Sequence, residues 1–147
     1  MKVKDVMTRE VTTLSPQMSV KDATGMLFKM QISGLPVTDE EGHVLGMFTE
    51  KDLIRLTLPS YVEHAGEFVY LLDTNGFAKK SAELDKMKVS DAMRKEVICV
   101  GEDTPLAEVA RIMITKKVRR IPVLKDDKLV GIVARADIVR EILKNLE

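Results

Sequence analysis

The residues most able to do chemistry are Gly46, Thr49 and Asp52, which are spaced at three-residue intervals. A glycine at the end of a strand lets a ligand approach the backbone closely. The helix expected after it offers unpaired N–H groups and a partial positive charge, which favour a phosphate. The threonine can donate a hydroxyl, and the aspartate can accept hydrogen bonds from both hydroxyls of a ribose. A helix start capped by Thr49 and Asp52 explains the same residues without a ligand.

This pattern occurs twice because the chain is an internal repeat. Residues 3–55 and 89–140 align at an offset of 86 residues before a gap after Asp39-Glu40, and of 85 residues after it. Gly131 and Asp137 are therefore the equivalents of Gly46 and Asp52. Two long copies predict a pair closed by pseudo-twofold symmetry, since open arrays generally need three or more repeats. We expect function in the clefts between the copies.

Each copy predicts the element order β-α-β-β-α, which makes the fold α+β. The first strands are expected at Val11–Leu14 and Val97–Val100. An amphipathic helix follows, with apolar residues at positions i, i+3, i+4 and i+7. Its start is indicated by a capping Ser19 in the first copy and by Thr104-Pro105 in the second. Next come two strands around a polar turn, and then a closing helix. These strands are Leu35–Thr38 with Val44–Phe48, and Ile121–Leu124 with Leu129–Val133.

The chain is expected to divide into a first repeat at 1–55, a connecting segment at 56–88 and a second repeat at 89–147. The connection is too long for a plain loop in a compact domain. It contains four of the six aromatic residues, and Val62–Leu72 is predicted to form a helix. A lid or dimer contact explains these aromatic side chains, and so does a cover over core exposed between the repeats.

Composition excludes several classes of protein. Lys+Arg and Asp+Glu are both 23, so no overall field attracts nucleic acid or an anionic membrane. The chain has no apolar run of the roughly 18 residues that a membrane span needs. The basic run Lys116–Arg120 suits a solvated helix end or a nucleic-acid patch, and the zero net charge makes nucleic acid an unfavoured partner. The single cysteine, Cys99, is expected on a strand as a buried apolar side chain, and it favours a cytoplasmic location.

The sequence gives little support for catalysis. Only two histidines are present, and no nucleophile elbow, phosphate-binding glycine loop or zinc spacing is found. His64 with Glu63 and Glu67 is typical of a solvated helix face rather than of a metal site. We therefore expect no catalytic residue, no metal site and no required cofactor.

Three motifs occur in order in both copies, at Val3–Met7 and Val89–Met93, at Ser33–Val37 and Arg119–Val123, and at Gly46–Asp52 and Gly131–Asp137. On these motifs the chain resembles a tandem pair of cystathionine-β-synthase (CBS) domains, also called a Bateman module. The resemblance implies a regulatory module that senses AMP, ADP, ATP or S-adenosylmethionine in clefts between the repeats. It also implies a homodimer and a separate protein target. A structural or interaction module without a small-molecule ligand is the main alternative.

The resemblance also implies which residues line each cleft, because basic residues before the Ile-Pro or Leu-Pro pair often hold a phosphate in such proteins. One cleft has a ribose acceptor, a hydroxyl and two guanidinium groups, and the other lacks the arginine pair and has Ala134 in place of the threonine. The first cleft is implied to contain Met47, Thr49, Asp52, Val97, Ile98, Val118, Arg119, Arg120 and Pro122. The second, weaker cleft is implied to contain Val11, Thr12, Ile32, Ser33, Gly34, Pro36, Arg135 and Asp137.

Overall fold

The structure, a computed structural model, describes residues 1–57 and 83–146, and its elements are numbered here in chain order within those ranges. The helices are α1 (Val20–Met30), α2 (Glu50–Thr57), α3 (Val89–Ala92), α4 (Leu106–Lys116) and α5 (Arg135–Leu146). The strands are β1 (Gly34–Thr38), β2 (Val44–Thr49), β3 (Val100–Gly101), β4 (Arg120–Lys125) and β5 (Lys128–Ala134). Short 3₁₀ turns occupy Val3–Asp5 and Glu83–Lys86. The helix expected at Val62–Leu72 lies outside the described residues.

The chain forms two compact units, each with its own hydrophobic core. We name them after the largest fully buried side chain in each core, Ile121 and Phe48. The Ile121 unit contains Met1–Thr12, Glu40–Val44 and Val97–Glu147, and the Phe48 unit contains Thr13–Asp39 and Leu45–Glu96. Both units combine helices with strands, which confirms the predicted α+β class. Each unit consists of most of one repeat together with the opening segment of the other repeat, which is residues 1–12 in the Ile121 unit and residues 89–96 in the Phe48 unit. The Ile121 unit also includes Glu40–Val44 from the first repeat.

The paired strands of each repeat form where the alternation of apolar residues predicts them. Strands β1 and β2 form a two-stranded sheet, and β3, β4 and β5 form a three-stranded sheet in that order. Strand β4 is antiparallel to β5, with Val123 opposite Gly131 and Arg120 opposite Ala134. The inward side chains of these strands are apolar and buried, so the sheets supply one side of each core.

The predicted first strands are largely wrong. Of Val11–Leu14, only Leu14 makes a bridge, and of Val97–Val100, only Val100 lies in a strand. Leu14 donates its N–H to the Pro36 carbonyl at 2.9 Å and accepts from the Thr38 N–H at 3.0 Å, in parallel register. The next bond along this ladder needs an N–H from Pro36, which a proline lacks. Pro122 ends the β3–β4 ladder in the same way.

The prediction for Cys99 was also only partly correct. The side chain is half-buried, and the residue precedes β3 rather than lying within a strand. Burial, assisted by the nearby Asp127 carboxylate, raises the pKa of the Cys99 thiol. The thiol is therefore less nucleophilic near neutral pH than a free cysteine.

Helices α1 and α4, the equivalent amphipathic helices of the two repeats, each begin with a backbone cap that the sequence alone did not indicate. Ser19 caps α1 as predicted, and its hydroxyl accepts from the Asp22 N–H at 3.1 Å. The prediction for Thr104 was wrong, because Pro105 is the N-cap of α4 and makes no side-chain cap. The first N–H of α4 instead donates to the Met1 carbonyl at 2.9 Å, so the opening segment caps this helix.

The opening segments are exchanged between the repeats by equivalent hydrogen bonds. Val3 donates its N–H to Thr104 and Val89 donates its N–H to Met18, both at 2.8 Å. Val3 and Val89 are fully buried, one in each core. Residues 1–8, although part of the first repeat in sequence, therefore complete the core that contains the second repeat.

Within the described ranges, no helix combines the length and the apolar character that a membrane crossing requires.

Candidate functional site

The predicted corner at Thr49 and Asp52 forms at the junction of β2 and α2, inside the Phe48 unit. Asp52 is only 5% exposed. Its Oδ2 atom accepts from both the Thr49 N–H and the Thr49 hydroxyl, each at 2.9 Å. The Asp52 N–H donates to the Thr49 hydroxyl oxygen at 3.3 Å. These reciprocal bonds form a capping box, which fixes the carboxylate rigidly at the start of α2.

The other carboxylate oxygen of Asp52 faces an arginine. Arg55, one helical turn further along α2, places Nη1 3.6 Å from Asp52 Oδ1. This distance fits an ion pair but is longer than an ordinary hydrogen bond. Asp52 therefore has one oxygen committed to Thr49 and a second oxygen beside a positive charge.

The equivalent corner in the Ile121 unit differs in two contacts. Asp137 Oδ2 accepts from the Ala134 N–H at 2.7 Å, and the alanine offers no hydroxyl. Asp137 Oδ1 accepts a direct hydrogen bond from Arg140 Nη1 at 3.1 Å. The two aspartates thus have the same structural role at a helix start. Their second carboxylate oxygen, Oδ1, differs in its contact with the arginine.

The first N–H of each closing helix is already bonded, contrary to the expectation that it is free for a phosphate. The Glu50 N–H donates to the Ser33 carbonyl at 2.8 Å, and the Arg135 N–H donates to the Arg119 carbonyl at 2.9 Å. One backbone donor at each corner is therefore already taken and is not available to a phosphate.

The contrast between Gly34 and Arg120 has a packing component. A Cβ atom built on Gly34 would lie 2.7 Å from Thr49 Cγ2, closer than real Cβ contacts occur. At the equivalent place in β4, Arg120 lies opposite Ala134, which has no such methyl group. In each repeat a larger residue on one strand lies beside a smaller one on its neighbour, so steric fit and ligand chemistry both bear on this pair.

The space beside each of the strand glycines Gly46 and Gly131 is filled by a methionine side chain. The expectation that these glycines leave room for a ligand is therefore wrong. A Cβ atom on Gly46 would lie 2.7 Å from Met93 Sδ and 2.6 Å from the Arg94 carbonyl oxygen. A Cβ atom on Gly131 would lie 2.9 Å from Met7 Cγ. The glycines therefore allow the exchanged opening segments to pack against the sheets.

The neighbouring Met47 is held by the same opening segment. Its N–H and carbonyl both bond to the backbone of Arg94, at 2.9 Å each. Met47 is buried, so its side chain belongs mostly to the interior of the Phe48 unit. This pair of hydrogen bonds fixes the backbone of Arg94, three residues before Val97 in the sequence.

The remaining predicted site residues divide between the two units. Those of the first cleft in the Ile121 unit are Pro122, which is buried, Val97, Ile98, Val118 and Arg120, which are half-buried, and Arg119, which is exposed. Those of the second cleft in the Phe48 unit are Gly34 and Pro36, which are buried, and Ile32 and Ser33, which are half-buried. In the Ile121 unit, the second cleft contributes Val11 and Asp137, which are half-buried, and Thr12 and Arg135, which are exposed.

Within each unit, the structure brings together residues that the sequence assigned to different clefts. In the Ile121 unit the Arg119 carbonyl accepts a hydrogen bond from the Arg135 N–H. In the Phe48 unit the Ser33 carbonyl accepts from the Glu50 N–H, next to Thr49. Asp52 belongs to one unit and Arg120 to the other. The shared cleft of Asp52 and Arg120 thus stays a prediction.

Sequence reasoning overlooked Arg55 and Arg94 as residues of the candidate site. Arg55 carried a usable signal, because it recurs as Arg140 three residues after the equivalent aspartate. Arg94 acts through its backbone, for which the sequence carries no signal. Within residues 1–57 and 83–146, no group of three or more His, Cys, Asp or Glu side chains is arranged to hold a metal ion.

The family model for the CBS domain matches this chain twice, at residues 3–58 and 89–144. The chain therefore belongs to the CBS domain family, and it carries two copies of the domain. This confirms the resemblance drawn from the repeated motifs.

The relatives include an enzyme and proteins solved with adenosine-containing ligands. Inosine-5′-monophosphate dehydrogenase of Methanocaldococcus jannaschii is 29% identical over 95% of this chain, but the match covers only 23% of that enzyme. The crystal structure of CBSX2 in complex with AMP has a TM-score of 0.76 and 30% identity, covering 99% of this chain and 98% of that chain; CBSX2 comes from Arabidopsis thaliana.

A third relative is the CBS domain pair of protein MJ0100 in complex with 5′-methylthioadenosine and S-adenosyl-L-methionine. Its structure has a TM-score of 0.70 and 27% identity, covering 99% of this chain and 98% of that chain.

Among curated relatives, this chain spans 23% and 32% of the lengths of two proteins of Methanocaldococcus jannaschii. The dehydrogenase match is confined to a fraction of that enzyme, so its activity does not carry over with the likeness.

Proposed function

We propose that this protein is a regulatory module that binds an adenosine-containing ligand, either an adenine nucleotide or S-adenosylmethionine. The observation that carries the proposal is the buried Asp52 carboxylate, held rigidly by Thr49 at a helix start in a CBS pair. A preorganised acceptor binds the hydroxyls of a ribose with little loss of side-chain entropy. The relatives solved with AMP and with S-adenosyl-L-methionine support this ligand class.

In our proposal the first cleft is the tight site, with Asp52 accepting from the ribose and Arg119 and Arg120 donating to a phosphate. Guanidinium groups bind phosphates through charge-assisted and often bidentate hydrogen bonds. The Glu50 N–H is already bonded to Ser33, so one backbone donor of the helix end is taken and the proposal relies on these arginines. The second cleft, around Asp137, lacks the arginine pair and is proposed to be weaker. No catalytic residue is proposed, and the single cysteine supports a reducing compartment such as the cytoplasm.

A thermal-shift screen of the purified chain tests the ligand class. We expect at least one of AMP, ADP, ATP and S-adenosylmethionine to raise the melting temperature. A ligand at 100 times its dissociation constant adds roughly 2.7 kcal/mol to the free energy of unfolding. Inosine and GMP serve as controls for the base. An unchanged melting temperature across the whole adenosine panel would favour the alternative, a structural or interaction module.

We further propose that the protein acts as a homodimer that regulates a separate protein target. Large apolar side chains are exposed at equivalent positions of the two repeats, with Phe28 87% and Ile114 78% exposed. We propose that these side chains are covered by the second copy in the dimer, where they would form part of one apolar surface. Light scattering at micromolar concentration is expected to give about twice the chain mass. A mass near 16.5 kDa, the mass of one chain, would contradict the dimer.

A further inference from the structure

The Asp52 carboxylate offers its two oxygens to different partners. Both hydrogen bonds from Thr49 end on Oδ2, which leaves Oδ1 as the oxygen for another donor. Arg55 Nη1 lies 3.6 Å from Oδ1, near enough for charge attraction and too far for a strong hydrogen bond. The acceptor sites of Oδ1 are therefore not consumed by the arginine that stands beside it.

The burial of the Asp52 carboxylate explains why a positively charged Arg55 lies beside it. The Asp52 side chain is 6% exposed, whereas the Arg55 side chain is 60% exposed. A buried charge is stable in a protein only when it is paired or hydrogen-bonded. Arg55 offsets the burial of the carboxylate by charge attraction, without donating a hydrogen bond to Oδ1.

The second repeat provides an internal comparison for this arrangement. Arg140 donates directly to Asp137 Oδ1 at 3.1 Å, so the equivalent oxygen already has a hydrogen-bond donor. Asp137 also lacks the second Oδ2 bond that a threonine hydroxyl would provide, because residue 134 is alanine. The arginine thus makes no hydrogen bond to the aspartate Oδ1 in the first repeat, and it makes one in the second.

We infer that Arg55 is a positioning residue for ribose recognition: Thr49 fixes the Asp52 carboxylate through Oδ2, and the Arg55 charge stabilises Oδ1 as the acceptor for the ribose hydroxyls. The contact with Arg140 in turn makes Asp137 the poorer ribose acceptor. This inference depends on the proposed function, since it concerns the same site. It adds a residue outside the predicted cleft and a specificity, namely preference for a ribose over a 2′-deoxyribose.

Calorimetric titration of the full chain with AMP and with 2′-deoxyAMP tests the inference. Wild type is expected to prefer AMP clearly. Arg55→Ala is expected to weaken AMP about fivefold, equivalent to losing a pair of about 1 kcal/mol, and to weaken 2′-deoxyAMP less, because that nucleotide keeps only one of the two hydroxyls. Arg55→Lys keeps the charge and is expected to recover most of the preference. Arg140→Ala is the matched control, and it is expected to leave AMP binding at the tight site unchanged.

Each other outcome overturns a defined part of the account. If Arg55→Ala weakens AMP and 2′-deoxyAMP equally, or weakens neither, Arg55 has no positioning role for the ribose. If wild type binds both nucleotides equally, or binds S-adenosylmethionine but not AMP, the inference fails and the proposed function survives. If wild type binds no adenosine-containing ligand, both fail. Melting temperatures of the variants without ligand show whether a loss of affinity comes from a loss of folded protein.

Discussion

Arg120→Ala should weaken the binding of AMP by about 10- to 100-fold and leave the binding of adenosine almost unchanged. Only the phosphate offers a charge-assisted hydrogen bond to the guanidinium, and such bonds contribute roughly 1.5–3 kcal/mol. Calorimetry with the two ligands on the same variant measures the difference. Arg111→Ala is a suitable control, because it removes one positive charge from the exposed face of α4, where Arg111 pairs with Glu108.

The two aspartates should respond differently to the same substitution. Asp52→Ala is expected to weaken AMP and adenosine alike, by roughly 1–3 kcal/mol, because the ribose hydroxyls lose their acceptor. Asp137→Ala is expected to leave the tight site almost untouched, although it removes a similar cap from α5. If Asp137→Ala abolishes AMP binding and Asp52→Ala does not, the cleft assignment is reversed. If Arg120→Ala weakens adenosine as much as AMP, Arg120 has a structural role.

Gly131→Ala and Gly46→Ala should each destabilise the protein by about 1–3 kcal/mol, because the new methyl group overlaps the exchanged opening segment. At Gly46 the overlap includes a backbone atom, the Arg94 carbonyl oxygen at 2.6 Å. At Gly131 it includes the Thr8 carbonyl oxygen at 3.0 Å. The free energy of unfolding in urea measures both effects, and hydrogen exchange at Ile121 and Phe48 shows which core is loosened.

Gly25→Ala is the matched control and should have the opposite sign. Gly25 is exposed within α1, and apart from its chain neighbours and the backbone of its own helix no atom lies within 4 Å of its added Cβ. Alanine is favoured over glycine in a helix interior by about 1 kcal/mol, so this variant should be more stable than wild type. A Gly46→Ala variant as stable as wild type would show that residues 93–94 do not pack closely on β2.

The helices and hairpins were predictable because their signals are local. The stripe from Leu106 to Met113 indicates one helix face, and the alternation in β4 and β5 indicates two strands around a turn. The first strands were not, because pairing depends on the partner strand, where Pro36 has no N–H to offer. The effect of Pro36 on the length of the first strand can be predicted only once Leu14 is known to pair with Val37.

The candidate site was predictable in its residue types and less so in its contacts. The spacing of Thr49 and Asp52 located the corner, and the repeated arginine after each aspartate was visible in the sequence. The role of Gly46 could not be derived, since the residues that fill its space come from Met93 and Arg94, 47 and 48 positions further along the chain. Such non-local contacts carry no periodicity that a sequence pattern could show.

The measurement that tests the central claim most directly is a calorimetric titration of the wild-type chain with AMP and with S-adenosylmethionine. The account predicts a saturable heat for at least one of them, with about one tightly bound molecule per chain, since we propose that only one cleft combines Asp52 with an arginine pair. The absence of any saturable heat with both ligands would contradict ligand binding, and two equal sites per chain would contradict the proposed difference between the repeats.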